Sequence, residues 1–409
     1  ALAHVSYLAD PARGGRLSGS PQFADAAAYV SERFRELGLE PLGDGGTFLE
    51  HFTQPIVGLG APARLEMLAP SSRSFRWRTD FTEYVSGRAG GGTAEGAISV
   101  AGHGEPSDVA DLDLTGRIAL VTTSPRGNPI ETAYQRHAVA VLVVVDQPGI
   151  RFSPLPFLET ATIPVLHIAR SVADELVPGG IEARHGDVPT RVRVSVPLEA
   201  VRQVQSANAV ALLRGTDPAA AQRAVMVGGH LDGLGTDPDG VVYPGGNDNA
   251  SGVAIMLEAA RTLVAKRAQL RHSIVFVAFG GEEEGYLGAS AYILQTATTP
   301  GRVESLVAFL DVDASGCCGD ALGASANDHD LQARVLDAVR ARGLPTTVPT
   351  GGSDHDVFSR AHVPAVLVQW NDVELHTPDD AAARVDARHL KGVGDVIVTV
   401  ALDLAGHHP

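Results

Sequence analysis

Lysine is almost missing from this chain: Lys266 and Lys391 alone occur in 409 residues, so arginine carries nearly all the basic charge. Acids outnumber bases, 48 against 32, and the net charge of −16 makes nucleic acid and anionic membrane poor partners. No apolar run approaches the roughly 20 residues of a membrane-spanning helix, and no basic-then-apolar leader is seen. The chain begins at Ala1 rather than Met, from which an extracytoplasmic location after leader removal is expected, with a cytoplasmic one as the alternative. Cysteine is scarce too. Cys317 and Cys318 are the only two, which excludes a disulfide framework and leaves the redox compartment open. Adjacent Cα atoms stand about 3.8 Å apart, below the range of about 4.4–6.8 Å usual for a bridge. Two small buried thiols in a turn are therefore expected.

What is present points to a soluble globular chain, with 44% hydrophobic and 20% charged residues and length enough for two domains. Chemistry concentrates between 225 and 292. Residues 225–227 lead through Gly228 and Gly229 to His230 and Asp232. Residues 273–279 lead through Gly280 and Gly281 to Glu282, Glu283 and Glu284. Between them, Gly246-Asn247-Asp248-Asn249-Ala250-Ser251-Gly252 opens an amphipathic helix whose inner face carries Val253, Met256, Leu257, Ala260, Leu263 and Val264. Parallel α/β sheets collect ligands at the carboxyl ends of their strands, where these polar groups fall. Imidazole with several carboxylates and no thiolate suits zinc, with cobalt or manganese as substitutes. Asp232 is placed to accept from the second ring nitrogen of His230 and set its tautomer. The adjacent pair Glu282 and Glu283 lets one carboxylate ligate while the other acts as general base.

Two later motifs follow: Leu310-Asp311-Val312-Asp313-Ala314-Ser315-Gly316 and Glu374-Leu375-His376-Thr377-Pro378-Asp379-Asp380. In this order the five motifs resemble the co-catalytic dizinc exopeptidases, the family of bacterial leucine-type aminopeptidases, glutamate carboxypeptidases and glutaminyl cyclases. The resemblance implies an α/β fold with a mixed central sheet sandwiched by helices. It implies two zinc ions, one held by His230 and Asp313, the other by Glu283 and His376, with Asp248 bridging both. Glu282 is then the general base for a metal-bridging water, and the Asp248–Asn249 peptide is expected to be cis. The implied reaction is hydrolysis of the N-terminal bond of a peptide or amino-acid amide. A carboxypeptidase or another amide hydrolase would share the site. A glutaminyl cyclase usually holds one zinc, and an inactive binding protein would have lost ligands or base, whereas here the set is complete. The deacylase and dipeptidase relatives insert their second domain later in the ligand order.

Two positions depart from the family pattern. Asp311 stands where Asn is usual, and a buried acid there needs a proton or a partner. Leu375 stands where many aminopeptidases carry a Tyr that stabilises the oxyanion. Gly351-Gly352-Ser353-Asp354-His355 resembles a loop bordering the family's site and is expected to line the pocket.

The rest of the chain is scaffold. Ser20 caps and Pro21 opens a helix whose buried face is Phe23, Ala27, Val30, Phe34 and Leu37. Short β-like runs at 96–100, 117–122, 139–145 and 163–168 resemble a protease-associated (PA) domain, a small β-rich insertion. The expected division is 1–81 with 191–409 for the catalytic domain and 82–190 for this non-catalytic module. Its His103, His137, His167 and His185 are expected to be satisfied or exposed, and Asp237 and Asp239 to be solvated loop acids.

Overall fold

The computed structural model describes residues 1–123, 127–298, 303–349, 351–370, 372 and 374–406. The chain divides into two compact units. One is Ala1–Gln54 with Gln203–Thr236 and Val242–Pro409; the other is Pro55–Arg202 with Asp237–Val241.

The first unit is built on a mixed sheet with four parallel strands at its centre: Ser273–Phe279, Ala224–His230, Leu306–Val312 and Ala365–Trp370. Arg202–Leu213 pairs antiparallel on one side and Leu322–Ala326 on the other. Apart from Ser273, His230 and Asp311, the first three central strands are apolar, because both faces are covered. Alternation divides each strand between two cores. Val225 and Val227 join Ile274, Phe276 and Leu310 under the helices Pro21–Glu36, Gly252–Ala265 and Ala387–Gly406. Met226, Val275, Val277 and Phe309 pack with Tyr292 and Phe358 on the opposite face. Ser20 accepts from the Phe23 N–H at 3.1 Å, and Phe23, Ala27, Val30 and Phe34 are buried as the pattern requires. Among the described residues no helix is long and apolar enough to cross a membrane.

Glycine is demanded where the strands carry the loops of the centre. A Cβ on Gly229 would lie 2.3 Å from the Val312 carbonyl oxygen and 2.9 Å from Asn249 Nδ2. Gly229→Ala is therefore expected to cost about 1–3 kcal/mol by overpacking. The denaturant midpoint should fall with the slope unchanged; an unmoved midpoint contradicts the close approach.

The second unit is a separate sheet ordered Arg73–Ser74, Arg64–Ala69, Gly186–Val196, Gly92–Val100, Ile118–Thr122, Ala140–Val145, Leu158–Ala169 and Phe81–Glu83. It is larger than its sequence pattern indicates. Arg64–Ala69 pairs with Gly186–Val196, so the division falls at 54/55 and 202/203, not at 81/82 and 190/191. The pairing joins segments more than 100 residues apart, which no local pattern reveals. Two short helices, Pro129–Gln135 and Arg170–Leu176, accompany the strands. His167 is half-buried and stacks on Tyr84, and its desolvation pushes the pKa down to about 4. His185 lies 3.1 Å from Asp111 and His103 2.7 Å from Thr122. Asp237 is not a solvated acid: it is buried and bonded by Arg78 at 3.0 Å, with Arg151 at 3.3 Å.

Candidate metal centre

All four central parallel strands deliver residues to one place from their carboxyl ends. His230 ends its strand, Glu282 and Glu283 follow Phe279, Asp313 follows Val312, and His376 lies beyond Trp370. Asp248 enters from the turn that opens the helix Gly252–Ala265. Its carboxylate stands between two histidines. Oδ1 is 3.1 Å from His230 Nε2, and Oδ2 is 3.0 Å from His376 Nε2. His230 Nε2 is also 3.3 Å from Asp313 Oδ1, and His376 Nε2 is 3.7 Å from Glu283 Oε2. The adjacent glutamates diverge: Glu282 gathers with His230 and Asp313, and Glu283 with Asp248 and His376, each trio's ligand atoms within 4.8 Å. The Asp248–Asn249 peptide is cis, as the resemblance implies.

Backbone bonds hold this arrangement. Asp232 accepts the N–H groups of Glu282 and Glu283, each at 3.2 Å. The expected bond from His230 Nδ1 to Asp232 is not made, because the 3.8 Å separation is too long. The carboxylate is oriented by the two glutamate amides instead, so Asp232 sets where the glutamates begin. Asp380 accepts from Asn247 N at 2.7 Å and Asp248 N at 2.9 Å. Asn249 donates to the Val312 carbonyl and accepts from Gly252 N, each at 2.9 Å, joining the Asp248 turn to the Asp313 strand. Asp380 and Asn249 stood inside the motifs, but nothing local distinguished their roles from those of their polar neighbours.

The electrostatics follow from burying acids together. Burial raises Glu282 well above the ordinary carboxylate range and Glu283 up to about 7. Burial pulls both histidines down, yet the facing carboxylates win. Glu283 and Asp248 push His376 up to about 9, and Glu282 and Asp313 raise His230. Asp248 alone of these acids is lowered: burial opposes its charge, but bonds from both histidines outweigh that. Among the described residues no lysine or arginine side chain bonds Asp248, Glu282, Glu283 or Asp313. Imidazole nitrogens and carboxylate oxygens converging with no lysine or arginine among them fit divalent cations in chemistry.

Other expectations resolve in the same region. Asp311 is buried and has a partner: Oδ2 accepts from His355 N at 2.9 Å, with the His355 ring 3.6 Å away. Ser353 and Asp354 do not line an open pocket; both are fully buried. Burial and the nearby Asp311 raise the Asp354 carboxyl well above its ordinary value. The small cleft beside Asp248, Glu283 and His376 is lined instead by Leu234, Tyr243 and Gly245.

The two cysteines are not free. Cys317 and Cys318 form a disulfide with their Cα atoms 3.7 Å apart and Cys318 at φ 77°. The usual Cα range describes bridges between separate segments, whereas consecutive residues close a small ring through a left-handed turn. Asp372 ties this turn to the centre: its Oδ2 lies 3.5 Å from Cys317 Sγ and accepts from Asn247 Nδ2 at 3.0 Å.

A strand order that aims a two-histidine, multi-carboxylate cluster from the carboxyl ends of a mixed sheet defines a zinc-exopeptidase type of α/β protein. Residues 208–401, all but 237–241 within the first unit, match the family model of Peptidase family M28. Among curated relatives, "Probable leucine aminopeptidase" of Arthroderma benhamiae is 28% identical over 209 residues, covering 47% of this chain and 57% of that protein. "Probable lipoprotein aminopeptidase LpqL" of Mycobacterium tuberculosis is 27% identical, covering 71% of this chain and 54% of that protein. The chain thus spans little more than half the length of these relatives. Among solved structures, an aminopeptidase from Aneurinibacillus sp. strain AM-1 superposes with TM-score 0.74 at 22% identity, covering 99% of this chain and 92% of that one. A peptidase M28 precursor from Shewanella amazonensis SB2B gives 0.68 at 18%, covering 100% of this chain and 93% of that one. These likenesses establish the fold.

Proposed function

We propose that this chain is a zinc-dependent aminopeptidase that hydrolyses the N-terminal bond of peptides or amino-acid amides. The observation that carries the reading is the Asp248 carboxylate, one oxygen toward His230 and the other toward His376, between two groups of ligands. In this reading His230 and Asp313 hold one zinc, Glu283 and His376 the other, and Asp248 both. The curated relatives named as aminopeptidases support the choice of reaction.

Zinc bound here would polarise the scissile carbonyl and lower the pKa of the attacking water. Glu282 takes the proton from that water and returns it to the leaving nitrogen. Its raised pKa suits a group that must hold a proton between those two steps. Asp232 keeps the two glutamate amides fixed, so that Glu282 and Glu283 serve different groups. The second unit contributes none of these seven residues, and we read it as a non-catalytic module.

Two measurements test the reading. Purified protein should contain two zinc ions and turn over peptides with free N-termini, while N-acetylated versions of the same peptides are left intact. Equal rates on both would exclude an aminopeptidase, and release from the C-terminus would identify a carboxypeptidase on the same site.

A pH dependence follows from the histidine and glutamate shifts. At neutral pH His376, near 9, carries a proton, and Glu283, near 7, is about half protonated. Binding a cation displaces both protons. Zinc affinity should therefore climb as pH rises from about 6 to about 9. Calorimetry in buffers of different ionisation enthalpy should show net proton release at pH 7. Affinity independent of pH would contradict this.

A further inference from the structure

Arg16 has no exposed surface, although it belongs to the first twenty residues. Buried arginines ordinarily face a carboxylate; this one spends its donors on backbone carbonyls. Nε donates to Leu231 O at 2.8 Å, one terminal nitrogen to Leu8 O at 2.8 Å and Pro244 O at 2.7 Å, and the other to Gly245 O at 3.0 Å. Leu231 lies between His230 and Asp232. Pro244 and Gly245 lie just before the turn that carries Asp248. One planar fork thus joins the two loops that must stay in register for Asp248 to stand between the histidines.

The backbone delivering Arg16 is committed to this task. Gly14, Gly15 and Arg16 are all left-handed, with φ of 49°, 70° and 53°. Only glycine fits at 15, where a Cβ would lie 2.3 Å from Gly235 O and 2.5 Å from Tyr243 O. A left-handed arginine is a strained conformation that persists where its surroundings require it. Gly233 N donates back to Arg16 O at 3.2 Å. Burial opposes the guanidinium charge, and Asp380, Asp232, Asp248 and Glu283 offset that through space.

We propose that Arg16 is a positioning residue of the metal centre, a cationic clamp that holds the loop after His230 and the turn before Asp248 at the separation two cations require. The proposal rests on the metal-centre reading above.

The experiment uses the full chain, with zinc affinity measured by chelator competition for wild type, Arg16→Lys and Arg16→Met. Thermal midpoints with and without zinc, and kcat and KM at saturating zinc, complete it. Lysine keeps the charge but lacks the fork, so Arg16→Lys should bind zinc about 10–100-fold more weakly. Its zinc-induced rise in midpoint should shrink, and kcat should fall more than KM changes. Arg16→Met should be weaker still; if it does not fold, Arg16→Lys decides the matter. A cation behind the site repels incoming zinc, so a purely electrostatic role predicts tighter binding in Arg16→Met and no change in Arg16→Lys. That result overturns the proposal. So does wild-type affinity in Arg16→Lys with midpoints lowered equally with and without zinc, which marks a structural residue only. A wild type that binds no zinc removes the reading of the site itself, and the clamp with it.

Discussion

Glu282→Gln should retain two zinc ions and the wild-type fold while losing at least about 10² in kcat, the scale of a general base removed. The amide is nearly isosteric and still reaches the position beside His230 and Asp313. It cannot accept a proton at neutral pH. The carboxylate it replaces is lifted first by burial and then by Glu283 and Asp313 against the pull of His230. Glu283→Ala should behave differently, because Glu283 stands with Asp248 and His376; zinc content should drop along with turnover. Zinc analysis and steady-state kinetics on the same preparations separate the two cases. Undiminished kcat in Glu282→Gln would reverse the assignment of the two glutamates.

Asp248→Ala should be more damaging, emptying both positions and lowering turnover by more than the ~10² expected for Glu282. The reason is geometric. Each oxygen of this carboxylate is the nearest acidic neighbour of a different histidine, at 3.1 and 3.0 Å. Deleting it also removes bonds that raise both histidine pKa values. Asp248→Asn separates bridging from simple charge, since the amide keeps one acceptor and presents a donor to the other position. It should hold one zinc well and the second poorly. Two ions at wild-type affinity in Asp248→Asn would rule out a bridging carboxylate. Both variants leave Asn249 to cap the following helix, so far-ultraviolet circular dichroism should stay unchanged.

Much of the centre was legible in the linear chain because parallel strands impose a local grammar. An apolar run buried on both faces, a glycine pair, then a polar residue marks a strand's carboxyl end. His230, Glu282 and Glu283 are found this way, and Asp248, Asp313 and His376 through the motifs that resemble the family's. The helix faces were equally local, since periodicity alone picks out Phe23, Val30, Met256 and Leu263.

Other features depend on contacts between segments far apart in the chain, which no window of residues contains. Arg16 reaches Pro244 across 228 residues, and within its own loop it is one polar residue among small ones. Asp380 was one of two adjacent acids until folding set it under the amides of Asn247 and Asp248. Asp237 seemed a solvated loop acid until it met Arg78 and Arg151. The Arg64–Ala69 strand moved the unit boundary because its partner lies beyond residue 185. Cys317 and Cys318 were judged by a distance rule for separate segments, whereas the local turn decides their pairing. The sequence by itself determined the residue types at the strand ends and the buried faces, since those follow from periods of two and 3.6 residues. Tertiary structure alone decided which carbonyls, amides and guanidinium groups hold the ligands in place, since those bonds exist only once distant segments share one interior.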